Sequence, residues 1–207
     1  MNESLNIKNN IIFIHIPKNA GTSIAKSFGF EISSHVKASE ILESFDFNFF
    51  KDKFSFGIVR DPIDRFISLY NYARMEVSYY HNNIHPSKSF YGKHLDYEIL
   101  KNASLYECAK LLVEGKLIHD ASWNHWKPQY TWIYDELGKT KLINKVYKIN
   151  NLEELQSDLF NLFKLKFNFE NLNKSSTNNK LQSVDSKTMS ILIDYYRRDF
   201  ELFDYKP

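Results

Sequence analysis

Two short apolar runs, each breaking off into a charged loop that opens a helix, constrain this chain more than any other feature. The first, Ile11 to Ile16 (IIFIHI), is β-branched and almost wholly apolar, the pattern of a buried strand. It stops at Pro17, and Lys18-Asn19-Ala20-Gly21-Thr22-Ser23 follows as a tight loop. Residues 24–28 have a helical period, which Gly29 ends. The second run, Phe54 to Val59, passes straight into Arg60-Asp61-Pro62. Proline suits the first helical position and Asp61 its N-cap, and the helix then carries Phe66, Leu69, Tyr70 and Ala73 on one face. A third strand is expected over Leu142 to Ile149, with Asn151 capping a helix through Phe163.

Strand, loop and helix alternating three times predict an α/β domain with a mostly parallel sheet. Ligands on such sheets bind beyond the carboxyl ends of the strands. Both Lys18 and Arg60 directly follow a strand end. Elsewhere, Ala38 to Phe45 reads as a short helix with Ser39 as N-cap, and His81 to His94 as a surface loop. Helices are expected at Leu105 to Glu114, closed by Gly115, and at Tyr130 to Leu137, closed by Gly138. Phe167 to Thr177 is extended or loop. Val184 to Phe203 reads as one long amphipathic helix with Met189, Leu192, Tyr196 and Phe200 on its apolar side.

Composition narrows the partners. With 207 residues, 43% hydrophobic and 25% charged, the chain can bury the core of one domain and is not disordered. Lys+Arg 27 against Asp+Glu 25 leaves +2, which excludes a polybasic nucleic-acid arm but allows a local basic pocket. A lone Cys108 cannot form an internal disulfide and reads as an inert buried thiol. The polar start MNESLNIKNN and the short apolar run after it fit neither a signal peptide nor a membrane span. The expectation is a soluble cytoplasmic protein, and the abundance of Asn, Lys, Ile and Phe matches an AT-rich bacterial genome.

The first loop has the chemistry of an anion holder. Helix-start N–H groups and the positive helix end point at the ligand, and Thr22 and Ser23 add hydroxyl donors. It is not a Walker A loop, because its lysine precedes the glycine, and no strand ends in an evident Mg²⁺-binding Asp. The loop should bind phosphate and need not use a metal.

His15-Ile16-Pro17-Lys18-Asn19-Ala20-Gly21-Thr22-Ser23 resembles the 5′-phosphosulfate loop of the carbohydrate sulfotransferases, which use 3′-phosphoadenosine 5′-phosphosulfate (PAPS). Phe56-Gly57-Ile58-Val59-Arg60-Asp61-Pro62, then Arg65 and Ser68-Leu69-Tyr70, is similar to their 3′-phosphate motif, in the same order and at a compatible distance. His125-Trp126-Lys127-Pro128-Gln129, Asn173-Lys174-Ser175 and Tyr195 to Tyr205 echo weaker features, so the resemblance spans nearly the whole chain. It implies a single P-loop-like, three-layer α/β domain over residues 1–207, with a mostly parallel central sheet flanked by helices. Residues 76–130 would form a helical and loop insertion on the acceptor side.

The same resemblance implies sulfuryl transfer from PAPS to a hydroxyl, on a carbohydrate or glycoconjugate, by in-line displacement without a metal. Lys18 would neutralise the oxygen bridging to the leaving phosphate, and Asn19, Ala20, Gly21, Thr22 and Ser23 would hold the 5′-phosphate. Arg60 and Ser68 match the 3′-phosphate ligands, and Asn173 and Ser175 join the nucleotide-binding set. Blander readings make Lys18 a solvated surface lysine and pair Arg60 with Asp61 or Asp64. Arg65 fits equally a ligand contact and an i,i+4 pair with Asp61.

The acceptor hydroxyl needs a base. His35, in Ser34-His35-Val36-Lys37-Ala38-Ser39-Glu40, stands where some family members carry a catalytic histidine, and it is the first choice. His125 is the second candidate, Glu40 the carboxylate alternative, and Asp46 is less well placed. His15 is expected to be structural. His81 and His85 have a metal-compatible spacing, but Pro86 and their Asn-rich surroundings make that segment a loop. Trp123, Trp126, Tyr130 and Trp132 read as core, with sugar stacking as the alternative. Two rival functions remain: a P-loop-like nucleotide-dependent phosphotransferase, and an inactive nucleotide-binding module.

Overall fold

The computed structural model describes residues 7–8, 10–29, 35–45, 47–76, 93–119, 125–166 and 184–207. Along these residues run four strands, β1 (Ile7–Lys8), β2 (Ile11–Ile14), β3 (Phe54–Val59) and β4 (Lys145–Lys148). The helices described are α1 (Gly21–Phe28), α2 (Ala38–Ser44), α3 (Phe47–Lys51), α4 (Pro62–Ala73), α5 (Tyr97–Leu100), α6 (Leu105–Val113), α7 (Tyr130–Ile133), α8 (Leu152–Phe163), α9 (Ser186–Tyr195) and α10 (Arg197–Phe203). The chain divides into two compact units, Met1–Arg60 with Gln129–Lys180, and Asp61–Pro128 with Leu181–Pro207.

The first unit is an α/β sheet structure. Its strands lie in the order β1-β2-β3-β4, with β1 antiparallel to β2 and the other pairs parallel. Alternation along the strands sends Ile11 and Phe13 of β2, Phe56 and Ile58 of β3 and Tyr147 of β4 into one core. Ile24 and Phe28 of α1 and Leu152, Leu155 and Leu159 of α8 cover that face. Each such side chain taken fully from water contributes about 1.5–3 kcal/mol. On the opposite face Gly57 leaves room for Ile133 of α7 and Ile143, both 3.4 Å from where a Cβ would stand. Lys145 and Tyr147 fasten α8 to β4 through Asp158 Oδ2, at 2.6 and 2.5 Å.

The second unit is helical. The face of α4 bearing Phe66, Leu69, Tyr70 and Ala73 packs with Cys108 and Leu112 of α6, Leu192 of α9, Tyr196, Phe200 of α10 and Trp126. Asp61 starts α4 as its N-cap: Oδ1 accepts from the Ile63 and Asp64 amides at 2.9 and 3.0 Å, with Pro62 at the first position. Cys108 is buried, and burial pushes its thiol pKa far up.

Several elements differ from their sequence signals. β1 is an added antiparallel edge, too short to leave a periodic trace. The N-cap of α2 is Lys37, not Ser39: Lys37 is extended, and its N–H donates back to Glu40 Oε2 at 2.9 Å. The helix expected over Tyr130 to Leu137 stops at Ile133, because Tyr134 bridges antiparallel to Lys141 and Asp135 accepts from the Lys139 and Thr140 amides. Gly138, at φ 63°, serves that turn rather than a helix end. The expected Val184 to Phe203 helix is broken at Tyr196, whose buried hydroxyl donates to the Trp126 carbonyl at 2.9 Å. No Gly or Pro marks that break, so the apolar period runs through it unchanged.

Ser104 caps α6 with a reciprocal pair. Its Oγ accepts from the Glu107 amide at 3.2 Å, and its own N–H donates to Glu107 Oε2 at 2.7 Å. Ser104→Ala should lower stability by about 1 kcal/mol, read from urea unfolding. An unchanged midpoint would show that the box contributes nothing to this helix.

Candidate active site

The parallel register sets Ile14 opposite Gly57, so the chain leaves β2 and β3 at the same end of the sheet. The loop after β2 then turns sharply. Lys18 and Ala20 both adopt left-handed backbone, at φ 68° and 60°. Non-glycine residues there cost of order 1–3 kcal/mol each, so something must hold them. Asn19 does: its buried Nδ2 donates to the Ile58 carbonyl and to Gln129 Oε1, both at 2.7 Å. Asn19 Oδ1 is buried without a partner among the described residues. The loop ends in the first turn of α1, where the Ser23 and Ile24 amides donate to the Ala20 carbonyl. Thr22 and Ser23 are exposed.

Gly21 is required for space. A Cβ there would lie 1.8 Å from His15 Cδ2. His15 is buried, stacked on Phe13 at 5.7 Å and tilted against His35 at 4.2 Å. Burial first, and His35 second, hold its pKa well below the ordinary histidine value, so it is a neutral wedge between strand and loop. The structural role expected for it agrees with this packing.

The strand-end arginine is tied to the same loop. Gln129, fully buried at the start of α7, accepts from the Arg60 amide at 2.9 Å and donates to the Arg60 carbonyl at 2.8 Å. Half-buried Lys18 has its pKa lowered to about 8, mainly by burial and then by the positive charge of Arg60. Two cations thus share one corner of the sheet, a place that favours an anion over water. The sequence signals of this corner were local ones: the strand ends with Lys18 and Arg60, the loop glycine and the Thr22 and Ser23 hydroxyls. Nothing in the sequence marked the Gln129–Asn19 contact, which joins residues far apart in the chain.

His35 is half-buried, with Nδ1 3.0 Å from the His15 carbonyl. A carbonyl only accepts, so Nδ1 carries the proton and Nε2 is the basic nitrogen of the neutral ring. Glu40, by contrast, is exposed and spends a carboxylate oxygen on the α2 cap.

The Sulfotransferase family model matches residues 5–206, across both compact units. The chain belongs to the sulfotransferase family. No curated protein and no solved structure matches it.

Other residues singled out in this sulfotransferase fall into three groups. Ser68 lies half-buried on α4 in the second unit. Arg65 is buried on the same helix, and its guanidinium donates to the carbonyls of His125 and Lys127 at 2.7 and 2.9 Å. With Tyr196 on the Trp126 carbonyl, it satisfies that segment's successive buried acceptors. Trp126 and Trp132 are 0% exposed and are core, not sugar platforms. Asn173, Ser175, Asp46, His81, His85 and Trp123 lie outside the described residues.

His125 belongs to a buried trio with His94 and His119, missed in the sequence because their spacing follows no metal pattern; their nitrogens lie within 4.8 Å of one another. The Asp96 and Leu95 amides donate to Nδ1 of His94 and His119 at 3.1 Å each, which leaves the proton of each neutral ring on Nε2. His94 and His119 also stack face to face, centroids 3.4 Å apart at 23°. Their ring planes are therefore nearly parallel, and the three rings bring one nitrogen each close enough together that they could hold a metal ion. In this arrangement the trio is a hydrogen-bonded core, lying against buried Asp96, which accepts from Trp126 Nε1 at 2.8 Å.

Gly21→Ala should lower stability by about 1–3 kcal/mol through overpacking against His15, measured by denaturant unfolding. Nucleotide affinity should fall with it, because the loop and the carbonyl that holds His35 both shift. Full stability and affinity in the variant would show that the ring moves aside at no cost.

Proposed function

We propose that this sulfotransferase moves the sulfuryl group of 3′-phosphoadenosine 5′-phosphosulfate to a hydroxyl of a carbohydrate or glycoconjugate. The observation that carries the reading is the pairing of Lys18 with Arg60 at the ends of adjacent parallel strands, where burial first and the neighbouring arginine second lower the lysine pKa to about 8. Two cations, exposed hydroxyls and a helix start form a donor set for a nucleotide with two anionic ends. On this reading the sheet and its loop are a P-loop-like, three-layer framework, and the units act as one catalytic domain over residues 1–207.

Bound there, the donor supplies an electrophilic sulfur with a phosphate leaving group. The α1 start holds the 5′-phosphate with the backbone of Asn19, Ala20 and Gly21 and the hydroxyls of Thr22 and Ser23, because the Asn19 side chain is committed to Ile58 and Gln129. Lys18, mostly protonated at neutral pH, neutralises charge at the bridging oxygen, and partial burial strengthens that attraction. Arg60 holds the 3′-phosphate, with Ser68, Asn173 and Ser175 as further nucleotide ligands. His35 Nε2 takes the proton from the acceptor hydroxyl; its Nδ1–H bond to His15 fixes the ring for that role. No residue of this set is assigned to a metal. The same reading places the enzyme in a bacterial cytoplasm, a setting with which the lone buried Cys108 is compatible.

Single-turnover assay with PAPS carrying labelled sulfur, against a panel of oligosaccharides, tests the reading. Label should pass to sugar hydroxyls in the presence of chelator. Transfer of phosphate from a nucleoside triphosphate instead, dependent on Mg²⁺, would overturn it in favour of a phosphotransferase. His35→Ala should cut kcat by about 10²–10⁴ while affinity for the desulfated nucleotide stays within a few-fold. Near-normal turnover would move the base elsewhere.

A further inference from the structure

We infer that Gln129 is a positioning residue that sets Arg60 against the Lys18 loop and thereby makes the 3′-phosphate count in donor recognition. The inference rests on the donor reading above and deepens it. Arg60 is the first residue past β3, where the sheet no longer serves its backbone: β2 has ended at Ile14, and the last β3 bond to the β4 side is from the Ile149 amide to the Val59 carbonyl. Both polar groups of the Arg60 backbone go instead to one side chain. Gln129 Oε1 accepts from Arg60 N at 2.9 Å, and Gln129 Nε2 donates to Arg60 O at 2.8 Å.

The same Oε1 accepts from Asn19 Nδ2 at 2.7 Å, and Asn19 Nδ2 closes the ring back to the Ile58 carbonyl of β3. A fully buried amide therefore bridges the backbone of one cation to the residue following the other. Its own anchor is firm, since α7 begins there and buries Trp132 and Ile133, the latter beside Gly57 of β3. Glutamine is the residue this position requires. It alone combines an acceptor and a donor at this reach: glutamate would lose the bond to the Arg60 carbonyl and add an anion to an anion site, and asparagine is one methylene short.

The consequence is a separation of roles. The 5′-phosphate end is held by α1 and the loop, which keep the Asn19 bond to the Ile58 carbonyl when Gln129 is lost. Arg60 reaches the 3′-phosphate only while its backbone is steered. Loss of Gln129 should thus erode recognition of one phosphate and spare the other.

Calorimetric titration with adenosine 3′,5′-bisphosphate and with adenosine 5′-monophosphate reads this directly, on the full chain. Wild type should prefer the bisphosphate by about 10–100-fold. Gln129→Ala should lower that preference by about tenfold, with 5′-monophosphate affinity kept within about threefold. Gln129→Met, which keeps length and packing but has no amide, should do the same and replaces the alanine variant if circular dichroism shows that variant unfolded. An unchanged preference in either folded variant overturns the inference. So does a parallel loss of both affinities, which would make Gln129 a support of the fold alone. Wild type without any preference for the bisphosphate would instead remove the donor reading and leave the contacts of Gln129 as they are.

Discussion

The parallel pairing of β2 with β3, in which Ile11 faces Phe54 and Ile14 faces Gly57, decides where every charged group of the first unit can go. Because the strands run in the same direction, both chains leave the sheet at one end. The β-branched interior of each strand holds the pairing in place through Phe13, Phe56 and Ile58, buried under α1 and α8. A slip by one residue would turn those side chains to the other face. Lys18 and Arg60 are therefore neighbours by virtue of apolar packing some distance away, and their mutual repulsion is imposed on them by the core.

The loop stores its cost locally. Left-handed Lys18 and Ala20 are unfavourable on their own, and the space beside His15 leaves no room for a Cβ at position 21. The Asn19 bonds to Ile58 and Gln129 offset much of this, at about 0.5–1.5 kcal/mol each. His15 is the hinge of the arrangement in a chemical sense as well. Its ring sets the floor of the loop, and its carbonyl fixes the tautomer of His35. Strain, base orientation and cation spacing are thus consequences of the same few contacts.

The elements that could be read in the sequence were those with local causes. A β-branched run makes β2, a proline at the first helical position behind Asp61 makes α4, and a helix-start glycine between charged and hydroxyl residues makes the loop. Family membership was legible for the same reason, since both motifs are contiguous. What stayed hidden depends on distant partners. Tyr196 breaks a helix where its hydroxyl meets the Trp126 carbonyl. The Tyr134–Lys141 bridge shortens α7, and the histidine trio gathers residues 94, 119 and 125 around Asp96. Gln129 was visible as a residue, but its function in the corner is a tertiary fact.

The central claim is that Lys18 and Arg60 form one anion site, and proton linkage tests it most directly. Free Lys18, with a pKa of about 8, is largely neutral at about pH 8.5, and an anion bound beside it favours the charged form and raises that pKa. Binding of adenosine 3′,5′-bisphosphate at that pH should therefore take up about 0.5–0.8 proton per site, read as a dependence of the calorimetric enthalpy on buffer ionisation. Lys18→Arg, charged throughout, should bind without that uptake. Binding with no proton uptake in wild type, or with equal uptake in Lys18→Arg, would contradict the account.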